Sequence, residues 1–134
     1  MPNRNMHEVM GHLGRDPELR YTPSNQPVCR LSIATSNDYK KGNEWVKNQP
    51  SWHNVVIWGE LASLVTERFQ KGDAIMVRGK SRTRDYEKGG IKGRITEIIA
   101  TEVYVPVYPK KQYEGEKEAA VEDYDDAPDA DIPF

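Results

Sequence analysis

Apolar and polar residues alternate in short runs along the first hundred or so positions, and Gly, Pro and Asn clusters separate the runs. This is the pattern of half-buried strands. It predicts a first strand over about residues 6–15, closed by the Asp16-Pro17 step, which disfavours helix before it and bends the chain. A second strand covers about residues 27–35, with Cys29, Leu31 and Ile33 on one face and Val28, Arg30 and Ser32 on the other. Residues 36–50, with Lys40-Lys41-Gly42-Asn43 at their middle, are too polar for core and read as a long hairpin. A third strand over about residues 51–58 sends Val55 and Ile57 one way and Trp52, Asn54, Val56 and Trp58 the other, so both of its faces carry large apolar groups.

The period changes after Gly59. Leu61, Leu64, Val65 and Phe69 are spaced as one stripe of a helix that ends before Lys71-Gly72. A long fourth strand over about residues 73–86, a Glu87-Lys88-Gly89-Gly90 turn and a fifth strand over about residues 92–105 follow. Three strands, a helix and two strands is the order of the oligonucleotide/oligosaccharide-binding barrel. The expected fold class is therefore all-β: a five-stranded barrel with one capping helix between strands 3 and 4. Beyond Pro106 the periodicity is lost in favour of Glu, Asp, Pro and Ala, a composition that buries too little apolar surface to offset its ordering entropy, so a disordered acidic tail is expected. The expected division is a folded domain over 1–105, a linker over 106–128 and a distinct tip over 129–134.

The whole-chain net charge of −2 hides two opposed parts. Residues 1–112 hold 18 Lys and Arg against 12 Asp and Glu, and residues 113–134 hold 1 against 9. The folded part alone is basic enough to attract a polyanion. Cys29 is the only cysteine and sits among apolar neighbours, so it reads as a buried, reduced thiol with no intrachain disulfide. No apolar run approaches the roughly 20 residues of a membrane span, and the polar opening does not suit a secretory signal. A cytoplasmic protein that does not engage membranes is expected.

Catalytic readings find little support. His7-Glu8-Val9-Met10-Gly11-His12 looks like a zinc-protease helix, but that chemistry needs His at i and i+4. Here the two histidines are five apart on an expected strand, where odd separations face opposite ways. His53 lacks ligand-spaced neighbours and reads as a packing or interface residue. Gly89-Gly90-Ile91-Lys92-Gly93 lacks the features of a phosphate loop. The expectation is no enzyme, no metal and no cofactor.

Single-strand binding without sequence preference needs cations that follow phosphates and flat rings on which any base can stack. Trp52 and Trp58 share one face of the third strand, Tyr39 and Trp45 lie on the hairpin, and Tyr86 ends the fourth strand. Lys40, Lys41, Lys47, Lys71, Arg82 and Arg84 are interleaved with them. Singly, an aromatic on a strand is as readily a core residue, and a hairpin lysine is an ordinary solvated charge. It is the combination that points to a nucleic acid.

Several motifs resemble the bacterial single-stranded DNA-binding protein family. They are Gly11-His12-Leu13-Gly14-Arg15-Asp16-Pro17-Glu18-Leu19-Arg20-Tyr21, Trp52-His53-Asn54-Val55-Val56-Ile57-Trp58-Gly59, Lys71-Gly72-Asp73 and Arg82-Thr83-Arg84-Asp85-Tyr86, with Asp129-Ala130-Asp131-Ile132-Pro133-Phe134 similar to the family's acidic tip. The resemblance implies a homotetramer that wraps single-stranded DNA and a tip docked by replication, recombination and repair enzymes. It puts stacking on Tyr39, Trp52, Trp58 and Tyr86, phosphate contacts on Lys71, Arg82 and Arg84, and a subunit contact on His53. Tyr39 and Tyr86 stand where many relatives have tryptophan, and Glu60 and Asp85 where many are basic. Ser81 and Ala130 also depart from common residues, and the linker is short for the family.

The tail has its own chemistry: Ile132-Pro133-Phe134, preceded by Asp129 and Asp131, suits a partner pocket for the ring with Arg or Lys at its rim. The acids from Glu114 to Asp126 need do no more than keep the chain in solution. Alternative readings are a primosome-type accessory or RNA-binding barrel, for which such a tip is not expected, and a metal-dependent hydrolase, which the histidine spacing disfavours.

Overall fold

The computed structural model describes residues 1–107, so most of the expected linker and all of the tip lie outside the described residues. The elements are β1 (His7–Leu13), β2 (Glu18–Tyr21), β3 (Pro27–Thr35), β4 (Tyr39–Lys41), β5 (Glu44–Val46), β6 (Ser51–Trp58), α1 (Glu60–Arg68), β7 (Ala74–Lys88) and β8 (Ile91–Tyr104). The fold is all-β with one short helix, of the oligonucleotide-binding kind. The five strands read from alternation are present as β1, β3, β6, β7 and β8, and the helix falls between the third and fourth of them.

The main sheet has the order β1-β7-β8-β6-β3-β2, and β1 also meets β3 through His12–Ala34 and Leu13–Ile33. The ladder thus returns to its first strand. Its neighbours are antiparallel except β6 and β8, which run parallel over Asn54–Glu97, Val55–Ile98 and Val56–Ile99. A parallel pair needs a crossover, and α1 lies in that crossover, packed on β3, β2 and β6.

The inward faces supply one apolar cluster. Leu13, Cys29, Leu31, Ile33, Val55, Ile57, Ile75, Val77, Ile98 and Ala100 come from the strands, and Ala62, Val65 and Phe69 from the helix and its end. The Cys29 thiol is fully buried, accepts a hydrogen bond from the Thr66 hydroxyl at 3.5 Å, and has its pKa raised by burial.

Two expectations need correction. The helix buries Ala62 and Val65, with Phe69 following, while Leu64 is 54 % exposed. At about 100° per residue, Ala62, Val65 and Phe69 cluster on the side facing β3, and Leu64 falls well off that arc. The strand β2 was also unread, because its four residues contain one inward apolar side chain, Leu19, too short a run to show alternation. It pairs with β3 across a turn in which Asn25 has φ 64°.

Two glycines permit close approaches. A Cβ on Gly11 would stand 2.1 Å from the Ala34 carbonyl oxygen, where β1 crosses β3. At Gly79 it would stand 1.9 Å from the Ile99 carbonyl oxygen. Between Arg78–Glu102 and Gly79–Ala100, β8 advances two residues while β7 advances one. This bulge inserts Thr101 and resets which side chains of β8 face inward, so Val103 packs on the core before it and Ala100 and Ile98 line the core after it. Gly11→Ala should push β1 from β3 and lower stability by roughly 1–3 kcal/mol, the usual cost of overpacking a tight site. Denaturant unfolding checks this, and an unchanged midpoint would mean that the crossing has slack.

Candidate nucleic-acid interface

Side chains on β6 alternate, and the core takes Val55 and Ile57. Trp52, Asn54, Val56 and Trp58 are therefore turned to the opposite face. The ladder with β3 sets Trp58 beside Val28, Val56 beside Arg30, Asn54 beside Ser32 and Trp52 beside Ala34. Both indoles are partly buried, and the residues beside them on this face, Val28, Val56, Ser32 and Ala34, are buried. Six residues of strand separate them by roughly 20 Å.

The same face continues across β8 and β7. Asn54 lies beside Glu97 and Val56 beside Ile99, and the antiparallel β7 then brings Arg82 opposite Glu97, Arg84 opposite Ile95 and Tyr86 opposite Gly93. Gly93 makes room for the tyrosine, since a Cβ there would come within 2.9 Å of the ring's Cζ and Oη. Tyr86 also lines an open cleft of about 610 Å³ with Asp85, Glu87, Lys92, Gly93 and Arg94.

Glu97 was not singled out from the sequence and holds the centre of this face, 1 % exposed. Its Oε1 accepts from Arg82 Nη2 at 2.6 Å and from Arg84 Nε at 2.8 Å. Arg30, across Val56, belongs to the same charge group. Burial lowers its pKa from the usual guanidinium value, Glu97 works to raise it, and Arg84 and Arg20 add to the lowering. A carboxylate set between Ile95 and Ile99 on a buried strand was the available signal.

Of the expected binding residues, Trp52, Trp58, Arg82, Arg84 and Tyr86 are thus gathered on one sheet face. The others are elsewhere. Tyr39, Lys40, Lys41 and Trp45 form a separate two-stranded hairpin in which Lys40 pairs with Trp45 and Tyr39 with Val46, so its two rings take opposite faces. Tyr39 is 50 % and Trp45 71 % exposed. The hairpin is anchored at its base by the Asn37 amide nitrogen, which donates to the Gln49 carbonyl and to Ser51 Oγ at 2.9 Å each. Lys47 follows it, exposed. Lys71 stands in the turn after α1, its backbone N–H donating to Asp16 Oδ1 at 2.8 Å, and is thereby tied to the β1–β2 link rather than to the tryptophan strand. His53 points to the core side, with Nε2 2.9 Å from Thr35 Oγ1, and burial lowers its pKa. Asp129, Asp131, Ile132, Pro133 and Phe134 lie outside the described residues.

Among the described residues no group of three His, Cys, Asp or Glu side chains is placed to hold a metal ion. No helix among them is long and apolar enough to cross a membrane.

The chain is similar to a protein of Chlorobaculum tepidum named single-stranded DNA-binding protein 1, with 36 % identity over 104 residues, covering 75 % of this chain and 64 % of that one. Proteins named single-stranded DNA-binding protein from Neisseria meningitidis serogroups A and B are each 34 % identical over 96 residues, covering 71 % of this chain and 55 % of theirs. The match spans less than two thirds of each relative's length. Residues 4–106, which include every strand and the helix described above, match the single-strand binding protein family, a binding family and not a catalytic one. The chain belongs to the single-strand binding protein family.

Proposed function

We propose that this chain binds single-stranded DNA without sequence preference, on the outward face shared by β6, β8 and β7. The observation that carries the reading is the placement of Trp52 and Trp58 on the side of β6 away from the core, with Arg82, Arg84 and Tyr86 brought onto the same face. Rings accept any base because every base has a flat face, and cations track the backbone regardless of sequence. The β4–β5 hairpin extends the surface, with Tyr39, Lys40, Lys41, Trp45 and Lys47 reaching the strand from the side. Lys71 adds a phosphate contact at the far rim.

The closed ladder is read as the five-stranded barrel of the oligonucleotide-binding kind, spanning residues 1–105. In the cytoplasm the chain works as a homotetramer. Supporting this, β1 pairs with β3 only at His12 and Leu13, and Met6 and Tyr104 are 57 % and 42 % exposed on and beside the β1–β7–β8 surface. His53 lies near a subunit contact. Residues 129–134, through Asp129, Asp131, Ile132, Pro133 and Phe134, recruit replication, recombination and repair enzymes, and residues 106–128 give the tip its reach.

Binding to oligo-dT should quench tryptophan fluorescence. Replacing both indoles, Trp52→Ala with Trp58→Ala, should weaken binding by roughly 2–6 kcal/mol, about 1–3 for each lost ring. A loss too small to measure in a folded double variant would remove the platform. The acids of residues 113–134 compete with DNA for the basic face. Deleting residues 114–134 should therefore tighten binding at low salt, with the gain shrinking as salt screens the attraction. Equal affinities at low salt would end that idea.

A further inference from the structure

Glu97 is an expensive residue in its position. Its side chain is fully enclosed, and its neighbours in the outward row of β8 are Ile95 and Ile99. Burying a carboxylate there costs several kcal/mol unless close partners compensate, and an apolar side chain would serve packing alone. The compensation comes from two guanidiniums on one oxygen: Arg82 Nη2 at 2.6 Å and Arg84 Nε at 2.8 Å, both to Oε1. The pairing is incomplete, because Glu97 Oε2 and Arg84 Nη2 are both buried with no hydrogen-bond partner among the described residues. Arg30, itself buried, feels Glu18 as well as Glu97, so at Glu97 two arginines meet one carboxylate, an excess of one positive charge.

A group built only for stability would be neutralised. This one keeps a surplus positive charge on the face that carries Trp52 and Trp58. Without Glu97 the guanidiniums would repel one another, and each long side chain would be free to leave the sheet for water. With it, Arg84 is held to 17 % exposure and Arg82 stands 42 % exposed from the same anchor. Two guanidiniums fixed side by side, with charge to spare, form a fork for the oxygens of a phosphodiester.

We infer that Glu97 is a positioning residue for nucleic-acid binding: its buried carboxylate orders Arg82 and Arg84 as a phosphate fork between the two tryptophans and Tyr86, so that a negative charge strengthens binding to a polyanion. The inference rests on the proposed single-strand binding.

The test turns on sign. Glu97→Gln keeps shape and removes one negative charge, so simple electrostatics demands tighter binding to oligo-dT and a steeper salt dependence. Positioning demands the reverse: roughly tenfold weaker binding as ordered, charge-assisted contacts are lost, with the slope of log affinity against log salt shallower by about one phosphate contact. In an Arg82→Gln/Arg84→Gln background the carboxylate has nothing to order and only repels, so adding Glu97→Gln should then tighten binding. Tighter or unchanged binding by the folded single variant overturns the inference. If that variant fails to fold, the double and triple variants decide, and a triple that binds no more tightly than the double overturns it. Failure of the unsubstituted chain to bind oligo-dT would instead remove the single-strand reading, and the inference with it. Tryptophan quenching in each variant reports that the rings are still engaged.

Discussion

The antiparallel ladder between β3 and β6 runs without a break from Val28–Trp58 to Thr35–Ser51, and the register along it governs both surfaces of the sheet. Side chains on a strand alternate, so a slip of one residue would carry Trp52 and Trp58 into the core and throw Val55 and Ile57 into water. The apolar interior holds the register against that slip, since Val55, Ile57, Leu31 and Ile33 have no other place to be buried. The outward indoles are in this sense a by-product of a well-packed inside. Packing and binding draw on the same strand with little competition between them.

A second device separates the two duties of the long strands. Where β7 and β8 begin and end near β1 they belong to the core, through Ile75, Val77 and Val103. Past the Gly79 bulge β8 still lines the core through Ala100 and Ile98 and pairs with β6, while the outward row of the two strands becomes Lys80, Arg82, Arg84 and Tyr86 opposite Ile99, Glu97, Ile95 and Gly93. The bulge resets the alternation of β8, so that an inward apolar row and an outward charged row run on together beyond it. It lets one uninterrupted chain segment supply core residues on one face and a cationic row on the other. On the near side of the bulge the outward charges are differently used: Arg78 Nη2 and Nε both reach Glu8 Oε2, at 2.6 and 2.8 Å, and Nη1 lies 3.4 Å from Glu102, one cation between two carboxylates with no positive charge to spare. The contrast with Glu97 and its two arginines is one of stoichiometry rather than of residue type.

Much of the architecture was legible along the chain because alternation reports a half-buried strand directly. The third strand was read with its observed bounds, and the two faces of β3 and β6 were assigned as the core cluster has them. Signals weakened where elements were short or surfaces ambiguous. β2 offers one inward apolar residue, and Leu64 completes an apolar spacing with Leu61 and Val65 although it lies well off the side that β3 covers. Among the binding candidates, rings and cations were recognisable by type. Their grouping was not, since Lys71 and the hairpin residues are no farther in sequence from Trp58 than Arg84 is, yet only Arg84 shares its sheet face.

What depends on neighbours along the chain could be read without coordinates: which segments extend, where the helix interrupts them, which side of each strand is apolar, and how charge divides between a basic body and an acidic tail. Those properties follow from side-chain period and composition, which are local. Which outward rows lie side by side is set by long-range strand pairing. The parallel pairing of β6 with β8, made possible by the α1 crossover, brings Glu97 beside Asn54, and the β7 hairpin then brings Arg82 and Arg84 onto that carboxylate. Pairing between strands some forty residues apart is set by how the whole sheet closes over its core. The meeting of a buried acid with two arginines is therefore a property of that closure and is absent from any single stretch of the chain.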